Sequence, residues 1–158
     1  MVRAMPGAPE IESQVTVHSR LPVGPEELWR RVSSVEGINF EMGPWLKFVG
    51  PSDLDALAGS RESGTVGLRL KGPAGFPLGR YRLGLVRLDP GRGFLEQTRM
   101  LPFLLWQHER MIEPEGDGSL ITDRLGWRWK LSLLDPLLRF GVRAFFQHRH
   151  RRLRRFFA

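Results

Sequence analysis

The chain contains no cysteine, which excludes disulfide bonds, thiolate catalysis and thiolate metal sites. It also has no apolar run near the ~20 residues that a membrane-spanning helix needs. The stretch from Met1 to Pro9 lacks the apolar segment of a secretory signal peptide. These absences predict a soluble, cytoplasmic protein. Residues 1–9 are small and rich in proline and glycine, and we expect them to be flexible.

Acidic residues are missing from the C-terminal part of the chain. Seven arginines and no acidic residue follow Asp135, so this segment carries the whole formal charge of +7. Such a segment is typical of a solvated helix end, of a surface that docks on an anionic membrane, or of contact with an acidic partner. The arginines expected at a membrane surface are Arg149, Arg151, Arg152, Arg154 and Arg155. No recognised nucleic-acid-binding motif accompanies the charge, so nucleic acid is not an expected partner.

The rest of the composition is that of an ordinary globular domain. The 158 residues, 41% of them hydrophobic, suffice to bury one core, and we predict a single domain over residues 10–158. The 18 glycines and 12 prolines indicate many turns. The four histidines show no metal-binding spacing such as H-E-x-x-H, so neither a metal nor another cofactor is expected.

Apolar periodicity and turn residues predict the order of the elements. Alternation over residues 11–21 is typical of a half-buried strand. Pro25 with two following glutamates begins a helix that we expect to end near residue 35, and a second short helix is expected over residues 37–42. Residues 54–63 are predicted to form a loop. Five further strands are predicted over residues 64–71, 78–88, 94–101, 104–112 and 120–131, and a long helix over residues 135–156.

One strand, two short helices, five strands and one long helix is the order of the helix-grip fold, an α+β architecture. Consecutive strands with short turns pair antiparallel, so we expect a curved sheet of six or seven strands around the last helix. One helix cannot fill the face of such a sheet, which predicts an internal cavity. Gly141 lies in the apolar stripe of that helix, where it either permits a close backbone approach or keeps space open.

The predicted hairpin that turns at Gly116 and Asp117 carries an unusual set of inward-facing polar residues. Antiparallel register about this turn gives the cross-strand pairs Ile112–Ile121, Arg110–Asp123, His108–Leu125 and Trp106–Trp127. The preceding turn, at Leu101 and Pro102, adds the pairs Glu96–His108 and Thr98–Trp106. A polar row of Glu96, His108, Arg110 and Asp123 is therefore expected inside an apolar, tryptophan-rich chamber, which is the usual make-up of a small-molecule site.

Two interpretations of this polar row stay open. In the first, Arg110 with Asp123 and Glu96 with His108 are self-satisfied pairs that set the strand register. In the second, the row contacts a ligand, and in the catalytic form of this hypothesis His108, Glu96 or Arg110 handles protons on it.

A spaced pattern of residues runs through these strands into the last helix. It consists of Phe94, Glu96, Thr98, Leu101, Pro102, Phe103, Trp106, His108, Arg110 and Ile112, then Asp123, Leu125 and Trp127, and finally Phe146 to Arg149. In order and spacing the pattern resembles the motif F-x-D-x-Q-x-x-G-P-F-x-x-W-x-H-x-H-x-F, followed by D-x-V-x-Y and F-x-x-R, of a bacterial ligand-binding branch of the START-like (SRPBCC) superfamily. That superfamily includes polyketide cyclases and Bet v 1-like carriers. Three positions differ: Glu96 replaces aspartate, Leu101 a turn glycine and Arg110 a second histidine.

The resemblance implies a helix-grip fold and a cavity for a hydrophobic ligand, but no single activity. The leading hypothesis is a protein that binds a lipid, isoprenoid or aromatic polyketide between the sheet and the last helix. The alternatives are a cyclase- or aromatase-like enzyme and a partner- or membrane-binding protein that uses the basic helix end. The expected ligand contacts are Tyr81, Leu83, Glu96, Thr98, Trp106, His108, Arg110, Asp123, Leu125, Trp127, Trp129, Leu138, Gly141 and Phe145.

Overall fold

The structure is a computed structural model that describes residues 11–50, 65–100 and 103–158. The strands in this part of the chain are β1 (Ser13–Leu21), β2 (Lys47–Val49), β3 (Thr65–Lys71), β4 (Pro77–Asp89), β5 (Gly93–Met100), β6 (Phe103–Glu115) and β7 (Gly118–Trp129). They form one antiparallel sheet in the order β1-β7-β6-β5-β4-β3-β2. The α-helices are α1 (Pro25–Val32), α2 (Val35–Met42) and α3 (Asp135–Phe156). The predicted α+β helix-grip fold is confirmed, with seven strands.

Strands β3 to β7 begin and end within three residues of their predicted bounds, and α3 spans the predicted residues. The expectations of flexibility over residues 1–9, of a loop over residues 54–63 and of a turn at Leu101 and Pro102 lie outside the described residues. No helix of the described ranges has the length and apolar content that a membrane crossing requires.

The boundary between the two short helices differs from the prediction. Helix α1 ends at Val32 instead of near residue 35, and α2 begins at Val35 instead of residue 37. Ser34 explains the difference, because its hydroxyl accepts a hydrogen bond from the N–H of Gly37 at 3.0 Å and its backbone is extended. A residue that caps a new helix in this conformation cannot continue the preceding one.

Strand β2 was not predicted, since three residues are too few to show an alternating pattern. Its position is set by Asn39 of α2. The side-chain amide of Asn39 donates a hydrogen bond to the carbonyl of Phe48 at 2.7 Å, and its oxygen accepts one from the backbone N–H of Phe48 at 2.6 Å. The side chain of Asn39 thus acts as a second strand partner and ties α2 to the edge of the sheet.

The predicted strand register is confirmed at every cross-strand pair named above. Because side chains alternate between the two faces of a strand, this register sends the odd-numbered residues of β7 inward. Asp123, Leu125 and Trp127 are at most 1% exposed. The first turn of α3 is attached to this strand by a hydrogen bond, since the indole N–H of Trp127 donates to the Asp135 carboxylate at 2.9 Å.

Helix α3 packs directly over β1 and β7. Leu125 and Trp127 form one apolar cluster with Val142 and Phe146 of the helix. A second cluster gathers residues of α1, β3 and β4 with Leu153, near the end of α3. Residues of both clusters line a cavity between the helix and the sheet.

Candidate functional site

A cavity of about 350 Å³ lies between α2, α3 and strands β3 to β6. Its walls are apolar except for five side chains: Tyr81, Glu96, His108, Arg110 and Arg149. Pockets for small organic ligands start at about 300 Å³ and combine apolar walls with a few convergent polar groups. The cavity therefore has the size and the composition of a small-molecule site.

Nine of the expected ligand contacts line this cavity: Tyr81, Leu83, Glu96, Trp106, His108, Arg110, Leu138, Gly141 and Phe145. At Gly141 a Cβ would meet no atom within 4 Å. Of the two roles considered for this glycine, the structure supports the keeping of space and not a close backbone approach.

The other five expected contacts lie off the cavity wall: Thr98, Asp123, Leu125, Trp127 and Trp129. Leu125 and Trp127 are covered by α3, and Trp129 stacks on Phe103 with 6.2 Å between ring centroids. The sequence analysis assumed a gap along the whole helix, and a ligand contact at these five residues stays a prediction. The helix closes on β7 and leaves space only toward β3 to β6.

Asp123 is wholly buried and belongs to an ionic cluster behind the cavity. Its two carboxylate oxygens accept hydrogen bonds from Nε and Nη2 of Arg110, at 2.8 and 2.7 Å. They also contact Nε2 of His108 and Nε2 of His150, both at 2.9 Å. Burial by itself raises the pKa of Asp123, but the adjacent Arg110 and His108 hold that pKa well below its usual value. Asp123 is therefore ionised, as the interpretation of a self-satisfied pair with Arg110 requires.

Glu41 is the main site residue that the sequence analysis missed. Its carboxylate accepts one hydrogen bond from each terminal nitrogen of Arg110, both at 2.9 Å, and one from Nε of Arg149 at 3.1 Å. Burial raises the pKa of Glu41, but the two guanidinium groups outweigh burial and lower it. A signal was present, because Glu41 stands at helical spacing from Ile38, on the apolar side of α2.

The position of Arg149 corrects the expectation of a membrane-facing side chain. Arg149 is only 6% exposed, lies on the cavity wall and places its guanidinium 4.8 Å from the centre of the Phe146 ring. Desolvation by burial lowers the pKa of Arg149, although Glu41 opposes that change. Arg152 is half-buried and donates to the carbonyl of Phe40. Of the five arginines expected at an anionic membrane, Arg151, Arg154 and Arg155 are exposed, and the hypothesis now rests on these three.

Glu96 is the acidic group of the cavity wall, and it has no cationic hydrogen-bond partner among the described residues. Its Oε1 accepts a hydrogen bond from the hydroxyl of Tyr81, and it shares the one hydroxyl proton of Thr98 with the carbonyl of Arg82. Burial raises the pKa of Glu96 to about 7, even though the Thr98 hydrogen bond and the charge of Arg149 oppose the rise. The predicted pair with His108 is looser than a hydrogen bond, with 3.9 Å between Oε2 and Nδ1.

His108 is held in one orientation. Its ring packs edge-on against Phe94 and Phe146, with 5.1 Å between centroids in each case. Because an ionised carboxylate only accepts hydrogen bonds, Nε2 carries a proton and donates it to Asp123. Burial lowers the pKa of His108 against the opposing charge of Asp123, so the ring is neutral and Nδ1 has a free lone pair.

The site can thus hold a nonpolar molecule and present a hydrogen-bond donor and acceptor to one end of it. Among the described residues, no three carboxylate or imidazole groups converge as metal ligands.

Solved structures with this fold are similar to the chain in shape but distant in sequence. A START superfamily protein from Mycobacterium smegmatis has 17% identity and a TM-score of 0.68 over 91% of this chain and 96% of its own. Protein CV1439 from Chromobacterium violaceum has 11% identity and a TM-score of 0.69 over 91% and 96%. CalU16 from Micromonospora echinospora has 14% identity and a TM-score of 0.58 over 89% and 75%. The chain therefore has the START-like fold that its motif implied.

No curated protein sequence matches the chain. Residues 19–157 match the model of the family described as "Domain of unknown function (DUF8410)", and the chain belongs to that family.

Proposed function

We propose that the protein binds a small hydrophobic molecule, of lipid, isoprenoid or aromatic polyketide type, in the cavity between its sheet and α3. The observation that supports this most is the cavity of about 350 Å³, whose wall is apolar apart from five side chains. A void of this size lined by carbon atoms loses the contacts that close packing supplies, so a matching apolar guest stabilises it.

The binding of N-phenyl-1-naphthylamine, a neutral dye whose fluorescence rises in apolar surroundings, tests this proposal. We expect the wild-type protein to bind one dye molecule and Gly141→Phe to weaken binding by about tenfold or more, because the new ring takes up cavity volume. Glycine in a helix interior costs up to about 1 kcal/mol relative to alanine, so the substitution favours the helix itself.

Ala144→Phe supplies the matched control, since Ala144 lies one turn along the same helix and off the cavity wall. This variant should bind the dye as the wild type does. Equal dye binding by Gly141→Phe and Ala144→Phe, or no binding by any of the three proteins, would refute a ligand in this cavity.

A cyclase- or aromatase-like enzyme is the second candidate, and the orientation of His108 favours it. Such a reaction needs a base and an acid beside the ligand, and the free Nδ1 of His108 and the carboxyl of Glu96 both lie on the cavity wall.

Deuterium exchange beside the carbonyl of 2-tetralone, followed by NMR in D2O, measures this chemistry without knowledge of the natural substrate. If the site is an acid–base catalyst, the wild type should speed the exchange by at least about 100-fold, and His108→Ala should remove the effect. Exchange at the buffer rate in a protein that binds the dye would leave binding as the function and rule out the enzyme.

A further inference from the structure

Two polar atoms on the cavity wall face one another without bonding. They are Oε2 of Glu96 and Nδ1 of His108, 3.9 Å apart. Neither atom has a hydrogen-bond partner among the residues that the structure describes, and their side chains are about 6% exposed. An oxygen about 2.8 Å from each would fit at the apex of a roughly right-angled triangle. The geometry therefore leaves a place for one further polar atom.

The hydrogen bond that the other ring nitrogen of His108, Nε2, makes with Asp123 determines the role of Nδ1. Nε2 donates to Asp123, and Asp123 cannot be the donor because Arg110 binds both of its oxygens. The neutral ring then offers only an acceptor at Nδ1. The atom that occupies the gap between Oε2 of Glu96 and Nδ1 of His108 must donate a hydrogen bond to Nδ1.

The role of Glu96 follows in the same way. Oε1 already accepts a hydrogen bond from the hydroxyl of Tyr81, and it shares the one hydroxyl proton of Thr98 with the carbonyl of Arg82. The proton of the neutral carboxyl therefore resides on Oε2, which faces the gap. In this form Glu96 is a donor. The atom in the gap must therefore accept one hydrogen bond and donate another.

We propose that Glu96 and His108 together bind one hydroxyl group of an otherwise apolar, uncharged ligand. The inference rests on the proposed function, since it names the class of molecule that the cavity takes. A hydroxyl oxygen accepts from Glu96 while its hydrogen goes to Nδ1, so both wall atoms are satisfied. A ketone or ether leaves Nδ1 without a donor, a methyl group satisfies neither atom, and a carboxylate places a second acceptor against the lone pair of Nδ1.

The preference for a hydroxyl depends on pH because Glu96 titrates. The groups that face Glu96 are Tyr81 from β4, Thr98 from β5, His108 from β6 and Arg149 from α3. Glu41 of α2 forms an ion pair with Arg149, and Arg110 forms ion pairs with Glu41 and Asp123. When Glu96 ionises, two acceptors compete for the single proton of the hydroxyl. The hydroxyl preference should fall as pH rises through about 7.

The experiment compares 2-naphthol with 2-methylnaphthalene, two probes that differ only in hydroxyl against methyl. Their Kd values are measured by displacement of N-phenyl-1-naphthylamine at pH 6 and pH 8. The readout is the ratio of the methyl Kd to the hydroxyl Kd, which cancels the apolar contacts that the two probes share. We expect this ratio in the wild type to fall by about tenfold from pH 6 to pH 8, the effect of one hydrogen bond.

Three variants test the assignment. Glu96→Gln keeps a donor at every pH, so its ratio should stay constant, whereas Glu96→Leu should lower the ratio about tenfold at pH 6. Leu83→Ala, on the same cavity wall, should weaken both probes equally and leave the ratio unchanged.

The outcomes separate the two proposals. Binding of both probes with a ratio that neither pH nor Glu96→Leu changes would show that water, and not a ligand hydroxyl, occupies the gap, and would overturn this inference alone. Failure of both probes and of the dye to bind would overturn the proposed function, and this inference with it.

Discussion

Glu41→Ala is expected to lower the free energy of unfolding by about 3–5 kcal/mol, the usual cost when one partner of a buried ion pair is removed. Glu41 is 0% exposed and is bonded to both Arg110 and Arg149. In this variant Arg110 keeps its ion pair with Asp123, but Arg149 loses its carboxylate partner and stays buried among apolar side chains. Urea denaturation at pH 7 measures the change.

Glu36→Ala is the matched control. Glu36 lies on the same helix and also pairs with an arginine, at 3.0 Å, but its side chain is 85% exposed. Exposed pairs of this kind contribute no more than about 1 kcal/mol. A similar loss of stability in the two variants would show that the cluster around Glu41 is not the buried, uncompensated site that its contacts indicate.

The hairpin of β6 and β7 could be predicted from the sequence because all its determinants are local. A turn at Gly116 and Asp117 together with strict alternation of apolar residues leaves one antiparallel register, and a shift by one residue would send Trp127 and Ile121 into solvent. The buried pair of Arg110 with Asp123 followed from that register alone.

The second ionic partner of Arg110 could not be predicted, because its position depends on how helices pack on the sheet. Glu41 and Arg110 are 69 residues apart in sequence. The same limit applies to Arg149, which was expected at a membrane surface but is buried, and to Trp127, which was expected to contact a ligand but lies under α3. The angle at which α3 crosses the sheet decides both positions, and no periodicity in a strand or helix specifies that angle.

The pH dependence of stability should carry the signature of Glu96. Burial raises the pKa of Glu96 from 4.5 to about 7, so the folded protein binds a proton that the unfolded chain has released between these values. The contribution of Glu96 to the free energy of unfolding is therefore fully present below about pH 4.5 and is lost as pH rises to about 7. The difference in pKa corresponds to roughly 3 kcal/mol. We expect Glu96→Gln, which stays neutral, to be more stable than the wild type by up to that amount at pH 8.

The comparison of the two proteins across pH isolates this effect. Other groups also titrate, since Asp123 and Glu41, whose pKa values are lowered in the folded protein, lose their contribution as the solution becomes acidic. They are present in both proteins and cancel in the difference. The difference in unfolding free energy should grow between pH 5 and pH 7 and then level off. A difference that stays constant from pH 5 to pH 8 would mean that Glu96 is ionised in the folded protein, and the hydrogen-bond donor that the hydroxyl site requires would be lost.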